Sequence, residues 1–125
     1  MQIQLQKVVP TFIEEEKISR SQIWNSSVIF NEGEKIEIVA PSGSGKTSLI
    51  HFLYGLRKDY NGTIAYDANS IAAFNAEHFA IYRQQHISIV FQDLRLFAEQ
   101  TVLQNLEIKR QLNPYHTETK IAAMA

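Results

Sequence analysis

The amino-acid sequence predicts an α/β fold built around a parallel sheet. From residue 36 onward, short apolar runs rich in β-branched residues alternate with segments of helical spacing, an order that favours parallel strands joined by helices. The chain has 125 residues, of which 45% are hydrophobic and 20% are charged. It can therefore bury the core of one modest globular domain.

Strand signals dominate the first 35 residues. "MQIQLQKVV" alternates apolar and polar residues and predicts a half-buried strand. Pro10 should end that strand, because proline has no N–H for the ladder. The acidic run at residues 14–16 is expected in a loop or ribbon, followed by a strand near residues 23–30. "NEGEK" is typical of a turn in which Gly33 takes positive φ.

Strands and helices alternate in the middle of the chain. The predicted elements are, in order, a strand at "IEIVA", a helix over residues 46–56, a strand at "GTIAYDA", a helix at "AEHFAIYRQQ" that starts near Phe74 or Asn75, and a buried strand at "HISIVFQ".

The C-terminal part is predicted to be helical. "EQTVLQNLEIKRQL" carries apolar residues near helical spacing, and Thr101 is its candidate N-cap. "NPYH" breaks that pattern, and "TETKIAAMA" has the composition of the start of another helix.

Composition excludes several classes of function. The net charge of −1 gives no general attraction to nucleic acid or anionic membranes. The absence of cysteine excludes disulfide frameworks and cysteine-bound zinc. No leader-like segment or apolar run of about 20 residues is present. We therefore expect a soluble cytoplasmic protein without a nucleic-acid partner, whose role at a membrane would require another subunit.

The strongest motif is "APSGSGKT", residues 40–47, called here the phosphate loop. It matches the P-loop pattern G-x-x-x-x-G-K-S/T except for Ala40 at the first position. Gly43 and Gly45 would let backbone N–H groups turn inward as an anion nest. Lys46 would reach the β- and γ-phosphates of a nucleotide, and the Thr47 hydroxyl would bind Mg²⁺. The predicted nucleotide-binding residues are Ser42, Gly43, Ser44, Gly45, Lys46, Thr47 and Ser48.

The alternative for this motif is a chance Gly/Ser loop that binds nothing. An apolar strand is predicted before the loop and an apolar helix after it, which is the context that the motif requires. We therefore favour the phosphate-binding interpretation.

Three stretches resemble the nucleotide-binding domain of ABC transporters: "NEGEKIEIVAPSGSGKTSLIHFLYGL", "NGTI" and "ISIVFQDLRLFAEQTVLQNL". The last is most similar to the branch that serves cell division, lipoprotein release and efflux pumps. The resemblance implies a P-loop NTPase-like α/β core with an N-terminal antiparallel β portion. It also implies binding of ATP or ADP with Mg²⁺, an integral membrane transporter subunit as partner, and a peripheral location at the inner face of the membrane.

The resemblance assigns Gln92 to the family's Q-loop region, residues 90–97 here. In the family this glutamine helps to hold Mg²⁺ and the attacking water, and it reports the nucleotide state to the transporter. Gln92 is thus a candidate catalytic residue and, with Thr47, a candidate metal ligand. The alternative is a surface polar residue that ends a strand.

The family also stacks an aromatic ring on the adenine. Phe12 lies at about the corresponding place and is the candidate for this role. Trp24 is the alternative, but its position inside a predicted strand favours the core.

The family's remaining motifs should follow Gln92 by many tens of residues. The sequence has no "LSGGQ"-like signature and no apolar strand that ends in Asp-Glu, and His116 lies in the turn-like "NPYH". The resemblance therefore implies an incomplete ATPase domain over residues 1–125, with its C-terminal half absent and its helical subdomain starting at about 100–125. We expect no hydrolysis from this chain alone.

An incomplete sheet has a further consequence. In the family, two strands lie between those that correspond to "IEIVA" and "HISIV", so this chain would leave two apolar strand edges unpaired. If it folds alone, we expect a homodimer, a strand-swapped oligomer or a rearrangement.

Two other functions compete with the transporter ATPase portion. A stand-alone, non-catalytic nucleotide- or phosphate-binding module would need the phosphate loop but not Gln92. A small-molecule kinase or GTPase is disfavoured, because the sequence contains no Asn-Lys-x-Asp-like guanine motif.

Overall fold

A four-stranded antiparallel sheet forms the centre of the fold in the computed structural model, which describes residues 1–93 and 96–112. The sheet order is β2-β1-β3-β4. The strands are β1 (Ile3–Pro10), β2 (Ser27–Phe30), β3 (Tyr60–Tyr66) and β4 (Asn69–Ser70). β1 is central, because it pairs with β2 on one side and β3 on the other. The expected antiparallel β portion at the N-terminus is confirmed.

β1 carries a bulge that changes which of its residues face the core. Its pairing with β3 shifts register between Gln6 and Val9, and Lys7 has a φ of 50°. An extra residue in a strand reverses the alternation of faces beyond it. Leu5 and Val8 are both fully buried as a result. The strand ends at Pro10, as predicted.

Besides the strands, the described residues form four helices and a 3₁₀ turn. They are α1 (Glu15–Ser19), α2 (Lys46–Leu53), the 3₁₀ turn Ile71–Ala73, α3 (Ala76–Gln85) and α4 (Val102–Leu112). The predicted cap of α4 is confirmed. Thr101 Oγ1 accepts a hydrogen bond from the Gln104 N–H at 3.1 Å, and Gln104 Oε1 accepts one from the Thr101 N–H at 2.8 Å. This reciprocal pair is a capping box.

Two predicted strands are wrong. Residues 36–40 and 86–92 pair with no strand within the described part of the chain, so the parallel sheet is not formed there. A strand is held by hydrogen bonds to a neighbour, and strand propensity alone does not supply one. The side chains of Val39 and Val90 are 83% and 95% exposed, as expected for apolar runs that lack a sheet partner.

Other boundaries also differ from the predictions. The acidic run opens the short helix α1 instead of a loop or ribbon. β2 begins at Ser27, so Trp24 lies in the turn before it. α2 ends at Leu53 because the chain turns at Gly55, which has a φ of 78°. The predicted turn "NPYH" and the helix at "TETKIAAMA" lie outside the described residues.

The chain divides into two compact units, Met1–Ala80 and Ile81–Ala125. In the first, α2 packs on β3: the Phe52 ring lies 4.9 Å from that of Tyr60, and the Tyr66 hydroxyl donates to the Leu53 carbonyl. Its buried hydrophobic residues are Leu5, Val8, Trp24, Leu49, Phe52, Ile64, Tyr66, Ile71 and Phe79. The core of this unit therefore joins α2 to the sheet.

The second unit contains α4, on which Arg110 and Glu107 form an ion pair. Several apolar side chains of α4 remain exposed, among them Val102 at 66%. Within the described residues, no helix combines the length and apolar character needed to cross a bilayer.

Replacing Phe52 by alanine should destabilise the first unit by about 3–5 kcal/mol, because it empties a fully buried aromatic site between α2 and the sheet. Ile50→Ala is the matched control, since Ile50 lies on the same helix and is 43% exposed. Urea unfolding followed by circular dichroism measures both changes. Equal losses of unfolding free energy would contradict the packing of α2 on the sheet.

Candidate functional site

Two glycines of the phosphate loop have backbone conformations that other residues avoid. Gly43 and Gly45 take left-handed conformations, with φ of 80° and 91°. Other residues rarely adopt this conformation, and in a loop it lets neighbouring N–H groups converge on one side. α2 begins at Lys46, directly after the loop's last glycine. The two left-handed glycines therefore lie next to the N-terminus of α2.

Three side chains donate hydrogen bonds to carbonyl groups of the loop. The pairs are Lys17 Nζ to the Gly43 carbonyl at 3.2 Å, Trp24 Nε1 to the Ser44 carbonyl at 3.1 Å, and Lys46 Nζ to the Ala40 carbonyl. Two of these donors come from the region between β1 and β2, far from the loop in sequence. The loop is therefore held by side chains that its own motif does not contain.

Trp24 and Ile13 also pack against the loop at Gly45, and Trp24 lines the cavity beside it. An added Cβ at Gly45 would lie 2.8 Å from Ile13 Cδ1 and 3.0 Å from Trp24 Cζ2. Trp24 is 5% exposed, and its ring meets that of Phe52 edge-on at 6.3 Å. The prediction that Trp24 belongs to the core is confirmed. Its bond to the loop was not predicted, although a buried indole N–H usually finds an acceptor.

A cavity of about 710 Å³ adjoins the phosphate loop. Its lining includes four of the predicted binding residues, namely Ser42, Ser44, Gly45 and Lys46. Two more cations from α1 and its C-cap also line it, Lys17 and Arg20. Arg20 forms an ion pair of 2.9 Å with Glu16, so its charge is partly balanced. Three carboxylates, those of Glu14, Glu16 and Glu37, line it as well, so the formal charges of the lining balance. What remains for an anion is the backbone of the loop and the Lys46 ammonium.

The last two residues of the predicted binding set lie in the first turn of α2. Thr47 is exposed. Ser48 is only 8% exposed, and its hydroxyl accepts a hydrogen bond from Arg57 Nη1 at 3.0 Å. The Ser48 side chain is therefore engaged with Arg57, and it is not part of the cavity lining.

Phe12, the predicted adenine-stacking residue, is 49% exposed and does not line this cavity. The Arg57 guanidinium carbon lies 4.7 Å from the centre of its ring, in a cation–π arrangement. Arg57 Nε also donates to Asp59 at 2.9 Å. This hydrogen bond lowers the pKa of the Asp59 carboxyl. One face of the Phe12 ring is thus covered by a side chain that is itself anchored.

Gln92, the predicted Q-loop residue, is exposed and belongs to the second unit, whereas the phosphate loop belongs to the first. Residues 94 and 95 of the predicted Q-loop region lie outside the described residues.

Just beyond that region, Asn105 on α4 accepts from the Phe97 N–H at 2.9 Å and donates to the Phe97 carbonyl at 3.2 Å. Asn105 therefore fixes the segment before α4. Among the described residues, no cluster of three or more His, Asp or Glu side chains could hold a metal ion.

Comparison with known proteins gives a family match over most of the chain. The family model described as "ABC transporter" matches residues 23–125. The lipoprotein-releasing system ATP-binding protein LolD of Syntrophotalea carbinolica is 36% identical over 74 residues, which cover 59% of this chain and 33% of that protein. The zinc import ATP-binding protein ZnuC of Anaplasma phagocytophilum is 48% identical over 48 residues, covering 38% and 20%. The probable ABC transporter ATP-binding protein PEB1C of Campylobacter jejuni is 34% identical over 84 residues, covering 67% and 34%. The chain thus spans about a third or less of the length of these relatives.

Replacing Gly45 by alanine should destabilise the protein by about 2–5 kcal/mol. It adds left-handed strain of about 1–2 kcal/mol, and it also adds overpacking against Ile13 and Trp24 of about 1–3 kcal/mol. Gly33→Ala is the matched control, because Gly33 has a similar φ of 83° but no atom within 4 Å of the added Cβ. Urea unfolding of the two variants separates strain from packing. Equal losses of unfolding free energy in Gly33→Ala and Gly45→Ala would contradict the close contact of Gly45 with Ile13 and Trp24.

Proposed function

The chain belongs to the ABC transporter family, whose domain has the P-loop NTPase fold, and on that premise we propose that it is the ATP-binding portion of a transporter ATPase subunit. It binds Mg-ATP or ADP through the phosphate loop. The observation that carries this proposal is the pair of left-handed glycines directly before Lys46 at the start of α2. It supports the proposal because a helix N-terminus, its unpaired N–H groups and a lysine ammonium follow one another in this segment, and all three attract phosphate.

The residues present suit a nucleoside triphosphate. The first turn of α2 contains no acidic side chain that would repel a phosphate. Lys46 donates to the Ala40 carbonyl, and a phosphate oxygen would replace that neutral acceptor with a charged one. Lys17 and Arg20 add positive charge to the cavity, which the glutamates of its lining offset, so the proposed contact depends on the loop backbone and Lys46. The loop therefore binds and orients the phosphate groups.

The Thr47 hydroxyl, at the second position of α2, offers an oxygen ligand of the kind that Mg²⁺ prefers. Bound Mg²⁺ would supply charge neutralisation between the phosphate oxygens. Gln92 would add a second contact to the metal and to water, and it would couple the nucleotide state to the membrane partner. We propose that the subunit acts at the inner face of the membrane through that partner.

A stand-alone nucleotide- or phosphate-binding module is the second candidate. It is favoured by one observation: the loop, the side chains that hold it and the cavity all belong to the first unit. Such a module would bind phosphate without any contribution from Gln92, so the role of Gln92 distinguishes the two functions.

Lys46→Ala should weaken the binding of Mg-ATP by at least about tenfold, because a charge-assisted hydrogen bond to phosphate contributes about 1.5–3 kcal/mol. Lys58→Ala is the matched control, since Lys58 is an exposed lysine that does not line the cavity. Isothermal titration calorimetry measures both affinities. Retention of wild-type affinity by Lys46→Ala would refute nucleotide binding at the phosphate loop.

Gln92→Ala should reduce the factor by which Mg²⁺ strengthens ATP binding, because one of the proposed metal contacts is lost. The measurement is ATP affinity with Mg²⁺ and with excess EDTA. Gln100→Ala serves as control, as an exposed glutamine of the same unit. An unchanged Mg²⁺ factor in Gln92→Ala, together with a loss of binding in Lys46→Ala, would favour the stand-alone module.

A further inference from the structure

The indole of Trp24 is held by its own turn and by the core as well as by the phosphate loop. Its own backbone N–H donates to Ser21 Oγ at 2.9 Å, within the turn that precedes β2. Its ring lies edge-on to Phe52 and is almost completely buried. The ring's N–H donates to the Ser44 carbonyl at 3.1 Å. A rigid, buried donor therefore determines where that carbonyl points.

The direction of the Ser44 carbonyl also determines the direction of the Gly45 N–H. The two groups belong to one peptide unit, which is planar and trans, since the chain contains no cis peptide bond among its described residues. In a trans peptide the C=O and the N–H point in opposite directions. The Gly45 N–H is therefore turned away from the indole. Within residues 1–93 and 96–112 it meets no protein acceptor.

The neighbouring peptide of the loop is held differently. Its carbonyl, that of Gly43, accepts from the exposed Lys17 ammonium at 3.2 Å, and its N–H, that of Ser44, donates to the Pro41 carbonyl at 3.2 Å. The Ser44 N–H is thus already used inside the loop. The Gly45 N–H is the donor that the tryptophan leaves available.

We propose that Trp24 is a positioning residue for the phosphate loop: its indole N–H holds the Ser44 carbonyl so that the Gly45 N–H is directed to a phosphate oxygen of the bound nucleotide. This inference rests on the proposed function and assigns to it a residue outside the loop's motif. In this role the indole N–H of Trp24 stays with the Ser44 carbonyl and is not a donor to the phosphate. It acts by removing the rotation of one peptide group that binding would otherwise have to restrict.

Trp24→Phe tests the inference, because it keeps an aromatic ring in the core and removes the N–H donor. Tyr66→Phe is the matched control. Tyr66 is also fully buried, and its hydroxyl donates to the Leu53 carbonyl at the opposite end of α2. Both variants lose one buried hydrogen bond from an aromatic side chain to a carbonyl of the α2 region, so both should lower the melting temperature.

The affinities for Mg-ATP and for inorganic tripolyphosphate then show whether Trp24 positions the loop peptide or only packs in the core. We expect Trp24→Phe to weaken both by about fivefold or more, as loss of an oriented hydrogen bond implies. Tyr66→Phe should stay within about twofold of the wild type. Wild-type affinity in Trp24→Phe would overturn the inference and leave Trp24 as a core residue whose N–H is merely satisfied.

A second variant covers the case in which Trp24→Phe does not fold. Benzothienylalanine at position 24 has the shape of tryptophan with sulfur in place of the N–H, so it preserves packing and removes the donor alone. Weakened binding of tripolyphosphate by this variant supports the inference, and unchanged binding refutes it.

Failure of the proposed function is distinguishable from failure of this inference. If the wild-type chain binds neither Mg-ATP nor tripolyphosphate, the proposed function is wrong. Whether Trp24 holds the Ser44–Gly45 peptide is then tested by nitrogen-15 relaxation of the Gly45 amide in the free protein. An amide that is ordered in the wild type and mobile in the benzothienylalanine variant supports the role of Trp24. Equal order in the two proteins overturns it.

Discussion

A loop that presents its N–H groups to an anion must turn its carbonyl groups the other way, and those carbonyls then need donors of their own. This requirement governs the phosphate loop, whose carbonyls at Ala40, Gly43 and Ser44 accept from Lys46, Lys17 and Trp24. Water could satisfy such carbonyls, but it would not fix their direction. Protein donors hold the loop in one conformation, which would reduce the entropy lost if an anion bound there.

The source of these donors explains why the site depends on the antiparallel sheet. Lys17 and Trp24 belong to the connection between β1 and β2, and both lie more than 20 residues before Lys46. The sheet brings this connection beside α2, where Trp24 packs on Phe52 and Phe52 packs on Tyr60 of β3. A line of aromatic contacts thus runs from the loop to the sheet. Changes in the core of the first unit therefore reach the phosphate loop through side-chain packing.

Features governed by neighbouring residues could be predicted from the sequence, and features governed by distant partners could not. Four features depend on interactions within a few residues, and the structure has them where they were expected: the positive φ of Gly33, the start of α2 at Lys46, the end of β1 at Pro10 and the cap at Thr101. Residues 36–40 have strand propensity but no partner, so the predicted strand is not formed. The Trp24 bond to Ser44 spans 20 positions, and no local pattern indicates it.

The two ends of the phosphate loop are held with unequal strength. After Gly43, the chain is anchored by the buried indole and by α2, whose Leu49 and Phe52 belong to the core. Before Gly43, residues 36–40 have no sheet partner within the described chain, and the Ala40 carbonyl accepts from the Lys46 ammonium. A phosphate that takes over this ammonium would break the contact with Ala40. Part of the new electrostatic interaction is then offset by the lost one, because charge-assisted hydrogen bonds contribute only by their difference. The free energy that Lys46 would contribute to phosphate binding therefore depends on how firmly Ala40 is otherwise held.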